Sequence, residues 1–341
     1  MHHDESISKI CIIFGGALGD LVLLLPSLVS LREVYSSAQI AILGNPLWLE
    51  FLAERGYVDK TYSLEQMPVY LLFQSNLAQT HPFIEFLKDF DIILSWFGDR
   101  QGILERNLRS LATTPLVFVF PFKNHEQNTG HVSEFYLSTL RHLGITVAAP
   151  RFKILPAHSS SSSKGCSQMA DYGLEPPRLC IHPGSGAKAK IWPLKNFIDV
   201  ALEVTRRLAV QVSFVLGPAE EEYFQTLKES AGIQSTAILR DLSVSGLATL
   251  LEHSRLYLGN DSGPTHLAAC TGVCTVAIFG PTSVEKWAPR GPDVHIIRKE
   301  TLCCPCNIDV MHQCTTRHCL AEITPEEVVE VLCSLMKSEN R

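Results

Sequence analysis

The sequence predicts an α/β protein made of two domains, each with a parallel sheet covered by helices. Three observations predict this class. Short apolar, β-branched runs alternate with longer stretches whose leucines have helical spacing. The order strand, glycine turn, helix occurs near residue 9, near residue 179 and again near residue 256. The chain has 341 residues, which exceeds what one hydrophobic core usually serves, so two domains are expected.

The elements of the N-terminal half alternate in the order expected for such a sheet. A strand is predicted at Lys9–Phe14, followed by the turn GGALGD and a leucine-rich helix. Further strands are predicted at 39–43, 91–95 and 116–120, and a further helix at 132–143. This alternation favours a parallel sheet with helices on its faces.

A run of five serines at 159–163 has the composition of a linker. Beyond it the pattern restarts, with strands at 179–182 and 211–216, helices at 194–208, 220–230 and 244–252, and a strand, turn and helix within 255–281. We therefore expect an N-terminal domain at 1–165, a C-terminal domain at 166–323, and a helix at 324–341, with packing back on the N-terminal domain as one option. Two such domains leave a cleft lined by loops at the carboxyl ends of the strands.

The composition excludes several classes of protein. With 46% hydrophobic and 19% charged residues, the chain has ordinary globular composition. Its formal net charge of −6 disfavours nucleic acid as a partner, because binding many phosphates requires a basic face. No apolar run reaches the ~18 residues of a membrane span, and the start MHHDESISK is too polar for a signal peptide. A cytoplasmic protein is expected.

The segment GNDSGPTH at 259–266 predicts an anion site. An apolar run ends there, a small polar turn follows, and Pro264 opens a new helix. Main-chain N–H groups and the positive end of the helix dipole then converge on one point, which is how proteins hold phosphate without a metal. The expected ligand is a diphosphate.

The residues of this turn have different predicted roles. Ser262 and Gly263 are expected to contact the anion, through a hydroxyl and through main-chain N–H groups. Asp261 is interpreted as a cap or as the residue that shapes the turn. His266 lies on the first turn of the helix, where it either packs with a hydrogen bond or reaches a phosphate oxygen.

Two further loops follow strands of the same half. In HPGSGAKAK at 182–190, glycines allow close approach of a ligand, Ser185 offers a hydroxyl and Lys190 can neutralise phosphate charge. The alternative is a connecting loop with solvated lysines. Glu220 follows Gly217 at the end of another strand, a position suited to the hydroxyls of a ribose, although a helix often starts with an acid for structural reasons.

The first glycine turn resembles a dinucleotide fingerprint only weakly. Gly15, Gly16 and Gly19 are irregularly spaced, and the second strand ends in Leu43-Gly44-Asn45, without the acid that would hold an adenosine ribose. A nicotinamide cofactor is therefore disfavoured. Asp20 opens the first helix, and it is either a helix-start acid or a base projecting into the cleft.

The chain contains eleven cysteines, five of which lie within 303–319. Disulfides are not expected to dominate, because the chain is neither small nor evidently secreted. Cys303, Cys306, Cys314 and Cys319 are able to form a tetrahedral zinc knot, but the spacing of the second pair is irregular for zinc. A loop stabilised by packing, or a disulfide formed on oxidation, is the favoured alternative.

Three motifs together resemble glycosyltransferase family 9, the heptosyltransferases of lipopolysaccharide core assembly. They are Gly16-Ala17-Leu18-Gly19-Asp20 with Pro26, His182-Pro183-Gly184-Ser185-Gly186 with Trp192-Pro193, and the segment 259–269 with Phe279-Gly280-Pro281-Thr282. Their order and spacing match the family over nearly the whole chain. One departure is Phe14, where members of the family often carry a basic residue.

The resemblance implies a GT-B fold, with two Rossmann-like domains facing across a cleft. It also implies metal-independent, inverting transfer of heptose or a related sugar from an ADP-sugar, without a cofactor. Asp20 falls on the position of the general base, Ser185 and Lys190 on diphosphate-binding positions, and Glu220 on the ribose contact. The nucleotide-diphosphate turn falls on Asp261, Ser262, Gly263 and His266.

The implied partners are a nucleotide-sugar donor and a glycolipid or oligosaccharide acceptor, with peripheral contact to the cytoplasmic membrane face as a further option. An acidic acceptor would favour cations, and Arg100, Arg106 and Arg109 are the evident cluster, although such spacing is more often a solvated helix face. Two alternatives stay open. One is a nucleotide-sugar-binding protein that no longer catalyses transfer, and the other is a GT-B-type epimerase or hydrolase.

Overall fold

The computed structural model describes residues 7–99, 101–111, 116–120, 130–147, 150, 152–157, 179–230, 232 and 236–338. The chain divides into two compact units, the first formed by 1–151 with 155–158 and the second by 152–154 with 159–341. The serine run lies outside the described residues, so the domain bounds placed near it stay predictions.

The first unit contains five strands and five α-helices in the described ranges. The strands are β1 (Lys9–Phe14), β2 (Gln39–Gly44), β3 (Lys60–Ser63), β4 (Ile92–Ser95) and β5 (Leu116–Val119). The helices are α1 (Leu18–Val34), α2 (Pro46–Glu54), α3 (Pro82–Lys88), α4 (Ile103–Ser110) and α5 (Val132–Thr139). The helix predicted at 132–143 ends early and continues as a 3₁₀ turn at Leu140–Leu143.

The strands of the first unit pair in parallel in the order β3-β2-β1-β4-β5. The central strand β1 is buried from Ile10 to Phe14, as expected for a parallel sheet with both faces covered. Helix α1 is likewise buried from Leu21 to Leu31, which explains its nearly uniform apolar sequence. The order of the strands reverses beside β1, so the loop after β1 lies where doubly wound sheets bind ligands.

The second unit contains six strands and eight α-helices within the part of the chain that is described. The strands are β6 (Leu179–His182), β7 (Val212–Leu216), β8 (Ala237–Arg240), β9 (Leu256–Asn260), β10 (Cys274–Ile278) and β11 (Val294–Ile297). The helices are α6 (Leu194–Leu208), α7 (Glu221–Glu229), α8 (Val244–His253), α9 (Gly263–Thr271), α10 (Val284–Trp287), α11 (Ile308–Gln313), α12 (His318–Ala321) and α13 (Pro325–Ser338).

These six strands are also parallel, in the order β11-β10-β9-β6-β7-β8, which is that of a complete doubly wound sheet. The order reverses between β6 and β9. Their register pairs His182 with Gly259, which places the loops after both strands side by side at one edge of the sheet. The second unit therefore has its switch point at the two loops that the sequence singled out.

The C-terminal helix α13 packs against α6 of the second unit. Its buried side chains, among them Val328 and Leu332, belong to the core of that unit. On the surface, Arg207 of α6 pairs with Glu326 at 2.8 Å and with Glu330 at 2.5 Å. The helix therefore belongs to the core of the second unit, and the option that it also returns to the N-terminal domain stays a prediction. None of the helices in the described ranges is both long and apolar enough to cross a bilayer.

Candidate functional site

The turn between β9 and α9 has the geometry predicted from its sequence. Strand β9 ends at Asn260, Ser262 is the N-cap of α9, and Pro264 lies in the first turn of the helix. The N–H of Asp261 donates to the carbonyl of Ile278, which fixes the turn to the neighbouring strand β10. The positive end of the α9 dipole therefore lies at the switch point of the sheet.

The carboxylate of Asp261 is the centre of the polar contacts at this turn. Its Oδ2 lies 3.0 Å from Nζ of Lys190 and accepts a hydrogen bond of 2.6 Å from the hydroxyl of Thr282. Its Oδ1 lies 3.9 Å from Nε2 of His266. The carboxylate is almost completely buried, and a buried charge requires such partners. Asp261 thus joins three segments of the chain: the loop before Trp192, the start of α9 and the loop after β10.

The hydroxyl groups of the serines that were predicted to bind the anion form hydrogen bonds within the protein itself. The hydroxyl of Ser185 donates to the carbonyl of Asp261 at 2.7 Å. Oγ of Ser262 lies 3.1 Å from Oγ1 of Thr265, which in turn donates to the carbonyl of Asn260. By contrast, the main-chain N–H groups of Ser262 and Gly263 donate to no other described residue. The groups that remain available for an anion are therefore main-chain N–H groups.

Asn260 joins the two loops at the switch point. Its side-chain Oδ1 accepts from the N–H of Trp192 at 3.0 Å, and its Nδ2 donates to the carbonyl of Pro183 at 2.7 Å. Asn260 is completely buried. It thereby fixes the loop that bears Ser185 and Lys190 against the end of β9. No role was predicted for Asn260 or Thr282 from the sequence, although both stand in the motifs on which the resemblance rests.

Glu220 lies at the same edge of the sheet, next to the loop after β6. Its Oε2 accepts from the N–H of Gly217 at 2.9 Å and lies 3.6 Å from Nε2 of His182. Burial acts to raise the pKa of Glu220, but the hydrogen bond and charge of His182 and the N–H of Gly217 lower that pKa below its ordinary value. A Cβ at Gly184 would lie 2.0 Å from Oε1 of Glu220. A larger residue there would require the carboxylate to move, so the carboxylate lies directly over the loop.

Asp20 belongs to the first unit, where it stands in the first turn of α1. Its Oδ2 accepts from the N–H of Ala17 at 3.1 Å, which gives the carboxylate a capping role. The side chain is half-buried. A Cβ at Gly16 would lie 2.8 Å from Cβ of Asp20 and 2.4 Å from the ring of Phe14, so this turn also needs its glycine.

An aromatic layer supports the turn that bears Asp20. Phe14 packs with its ring centroid 6.0 Å from that of Trp48 and 6.1 Å from that of Tyr136. Nε1 of Trp48 donates to the carbonyl of Gly16 at 3.3 Å. Burial first, and the charge of Asp20 second, raise the pKa of Tyr136 well above its ordinary value. The apolar Phe14, noted above as a departure from the resemblance, is therefore part of this layer.

The arginine cluster suggested above as a contact for an acidic acceptor includes a residue that is paired on a helix surface. Arg109 pairs with Glu105 at 2.9 Å on the surface of α4, one helical turn apart. Arg100 lies outside the described residues. The pairing of Arg109 fits a solvated helix face.

A cavity of about 530 Å³ lies beside the Asp261 contacts in the second unit. Thr282 forms part of its wall, together with Gly280 and Ser283. Its remaining wall combines charged and polar side chains, which are Glu285, Arg298, Lys299, Glu300 and Thr301, with Leu302, Cys304 and Pro305. No sequence motif indicated this cavity, because its wall comes from separate turns that approach one another only in the folded unit.

Two doubly wound parallel units, the second with a helix N-terminus at its switch point, define a class of fold. This class is the GT-B fold, which describes the architecture and not yet a ligand. The sequence model of glycosyltransferase family 9 (heptosyltransferase) matches residues 124–317. The chain belongs to this family, which confirms the prediction made from the three motifs.

Related sequences agree with this assignment. Lipooligosaccharide heptosyltransferase 2 of Campylobacter jejuni subsp. jejuni serotype O:2 is 31% identical over 170 residues, which cover 48% of this chain and 52% of the relative. The chain thus spans about half the length of that relative. Lipopolysaccharide heptosyltransferase 3 of Escherichia coli is 23% identical over 292 residues, which cover 80% of this chain and 83% of the relative.

Solved structures show the same fold. The ADP-heptose lipopolysaccharide heptosyltransferase II of E. coli superposes with a TM-score of 0.76 at 18% identity, covering 98% of this chain and 100% of the other. The family 9 glycosyltransferase of Veillonella parvula DSM 2008 has the same TM-score and identity, covering 96% of this chain and 97% of the other. The predicted GT-B fold is confirmed.

Proposed function

We propose that this protein transfers heptose, or a closely related sugar, from an ADP-sugar to a lipopolysaccharide core or another surface glycan. The transfer is proposed to invert the anomeric centre and to need no metal ion at the donor site. The observation that carries the proposal is the arrangement around Asp261, which gathers Lys190, the start of α9 and the loop of Ser185 at one switch point. The names of the relatives supply the sugar and the acceptor class.

The diphosphate of the donor is proposed to lie at the start of α9. The N–H groups of Ser262 and Gly263 would donate to its oxygens, and the helix dipole adds positive potential there. Lys190 is placed at this point by its ion pair with Asp261, yet its side chain retains about a quarter of its exposure. As the leaving ADP gains charge, these groups stabilise it where other enzymes use magnesium. Glu220, beside Gly184, is proposed to accept from the ribose hydroxyls.

Asp20 is proposed to be the general base. The acceptor hydroxyl attacks the anomeric carbon as its proton passes to the carboxylate of Asp20. The bond between the anomeric carbon and the diphosphate oxygen breaks at the same time, and its electron pair leaves with ADP. Displacement from the opposite side inverts the anomeric centre. The acceptor is membrane-derived, so peripheral contact with the cytoplasmic membrane face is part of the proposal.

The test measures ADP release from ADP-heptose with delipidated core oligosaccharide, without added metal. Asp20→Asn keeps an oxygen that can accept from Ala17 but removes the base, so we expect a loss of at least ~100-fold in turnover with ADP affinity unchanged. Glu85→Gln is the matched control, because it removes the charge of an acid in the first turn of another helix, α3. This variant should retain full activity.

Each alternative gives a different result in this assay. Binding of ADP-heptose without any release of ADP would indicate a non-catalytic binding protein. Release that does not require the acceptor would indicate a hydrolase. Undiminished turnover of Asp20→Asn would show that another group accepts the proton.

A further inference from the structure

The segment after β11 gathers thiol groups in one place. The Sγ atoms of Cys303, Cys304 and Cys306 all lie within 4.8 Å of one another. A tetrahedral ion with metal–sulfur bonds of about 2.3 Å separates its sulfur ligands by about 3.8 Å. The three sulfur atoms are therefore already close to the spacing that one ion requires.

A fourth thiol lies in the core that Cys304 contacts. Cys319, in α12, is buried. It belongs to a core cluster of the second unit, and Cys304 packs against that same cluster. Of the cysteines in that cluster, Cys319 is the nearest in the chain to the three thiols of the first group.

The segment that bears these thiols contacts the loops at 188–190 and 280–282, beside the proposed donor site. The N–H of Cys306 donates to the carbonyl of Pro281 at 2.8 Å, next to Thr282. Nη1 of Arg317 donates to the carbonyl of Lys188 at 3.0 Å. A Cβ at Gly280 would lie 2.7 Å from the side chain of Leu320, so α12 packs directly on the loop after β10. Nε1 of Trp192 donates to the carbonyl of Ile323.

We propose that Cys303, Cys304, Cys306 and Cys319 form a tetrathiolate site for a structural divalent metal ion of the zinc and iron class. Four sulfur ligands select ions of this class, and a site with four protein ligands leaves no open position for catalysis. The ion joins the loop after β11 to α12. Through Cys306 and Arg317 it stabilises the loops at 188–190 and 280–282.

The first test is elemental analysis of the full chain, purified under reducing conditions and desalted. We expect about one equivalent of zinc or iron per chain, and the analysis itself distinguishes the two metals. Cys306→Ser and Cys319→Ser should each reduce metal content at least tenfold. Two control variants should retain the ion. They are Cys333→Ala, which replaces a buried cysteine of α13, and Cys314→Ser. A metal-free parent protein, or undiminished metal in Cys306→Ser and Cys319→Ser, would overturn the proposal, and loss of metal in Cys314→Ser would overturn the ligand set.

A thiol count distinguishes the metal from a disulfide. With an ion bound, a chelator should make four further thiols reactive without any reductant. If those thiols appear only after reduction, the cysteines form disulfides and the proposal is wrong. Chelation should also lower the melting temperature of the parent protein but not that of Cys306→Ser. A decrease in ADP affinity on chelation is expected as well, and only this last effect rests on the proposed donor site.

Discussion

Nζ of Lys190 lies 3.0 Å from Oδ2 of Asp261, although the two residues come from loops after different strands. The pairing of β6 with β9 brings these loops together. Because Asp261 is buried and Lys190 is partly exposed, the carboxylate positions an ammonium group whose other face remains accessible. Asp261 thus acts on the proposed diphosphate through Lys190 and through the shape of the turn.

Lys190→Ala should raise the Kd for ADP about tenfold or more, because it removes a charged partner worth about 1.5–3 kcal/mol. Isothermal titration calorimetry measures this change. Lys188→Ala is the matched control, since Lys188 and Lys190 belong to one 3₁₀ turn, Lys188–Lys190, and Lys188 is exposed. It should change the Kd by less than about twofold. Equal effects of the two variants would indicate general surface electrostatics instead of a specific contact.

Thr282→Val should destabilise the second unit by about 1–3 kcal/mol. The variant keeps the shape of the side chain but removes the hydroxyl that donates to the buried carboxylate of Asp261 at 2.6 Å. Chemical denaturation measures the free energy of unfolding. Thr282→Ser retains a hydroxyl and should recover most of the loss. If Thr282→Val and Thr282→Ser lower the free energy of unfolding equally, the hydrogen bond to Asp261 contributes little to stability.

Much of the fold could be predicted because apolar runs and helical spacing are local properties. The strands at Lys9–Phe14 and Leu179–His182 and the helix at Leu194–Leu208 have their predicted bounds. A short strand at the edge of a sheet can lack such an apolar run, and the sequence then does not predict it. Strand β3, for example, has the sequence KTYS and is only partly buried, so its alternation does not distinguish it from a loop.

The site could be predicted in part, for a related reason. Turns at strand ends are visible in sequence, so the loops that bear Ser185 and Asp261 could be expected at one edge of the sheet. The pairing of Asp261 with Thr282 depends on which strands are neighbours and on their register, and neither is a local property. The thiol group shows the same limit, because spacing paired Cys303 with Cys306 but gave no reason to include Cys304.

The stability contributed by Glu220 should depend on pH. Its pKa in the folded protein is below the ordinary value, despite burial, because of His182 and the N–H of Gly217. The contribution is therefore present above the unfolded-state pKa of about 4.3 and is lost as the pH falls through the lower folded pKa. Denaturation of the parent protein and of Glu220→Gln should show a difference at pH 7 that narrows below about pH 4. Glu222→Gln, at an exposed position of α7, should show no such trend.

Gly184→Ala should separate ribose recognition from diphosphate binding. The new Cβ would lie 2.0 Å from Oε1 of Glu220 and 2.3 Å from its Cδ, so the carboxylate must move. That movement breaks its hydrogen bond from Gly217, at an expected cost of about 1–3 kcal/mol in stability. Gly186→Ala is the matched control in the same loop, because its Cβ meets nothing within 4 Å.

The two ligands to compare are ADP and pyrophosphate, since only ADP carries a ribose. Gly184→Ala should weaken ADP binding at least tenfold and change pyrophosphate binding by less than about twofold, because the start of α9 and Lys190 are untouched. Gly186→Ala should leave both affinities unchanged. If Gly184→Ala weakens both ligands equally, the loop acts on the diphosphate and Glu220 is only the acid that begins its helix. If it weakens ADP alone, the carboxylate over Gly184 is the ribose contact.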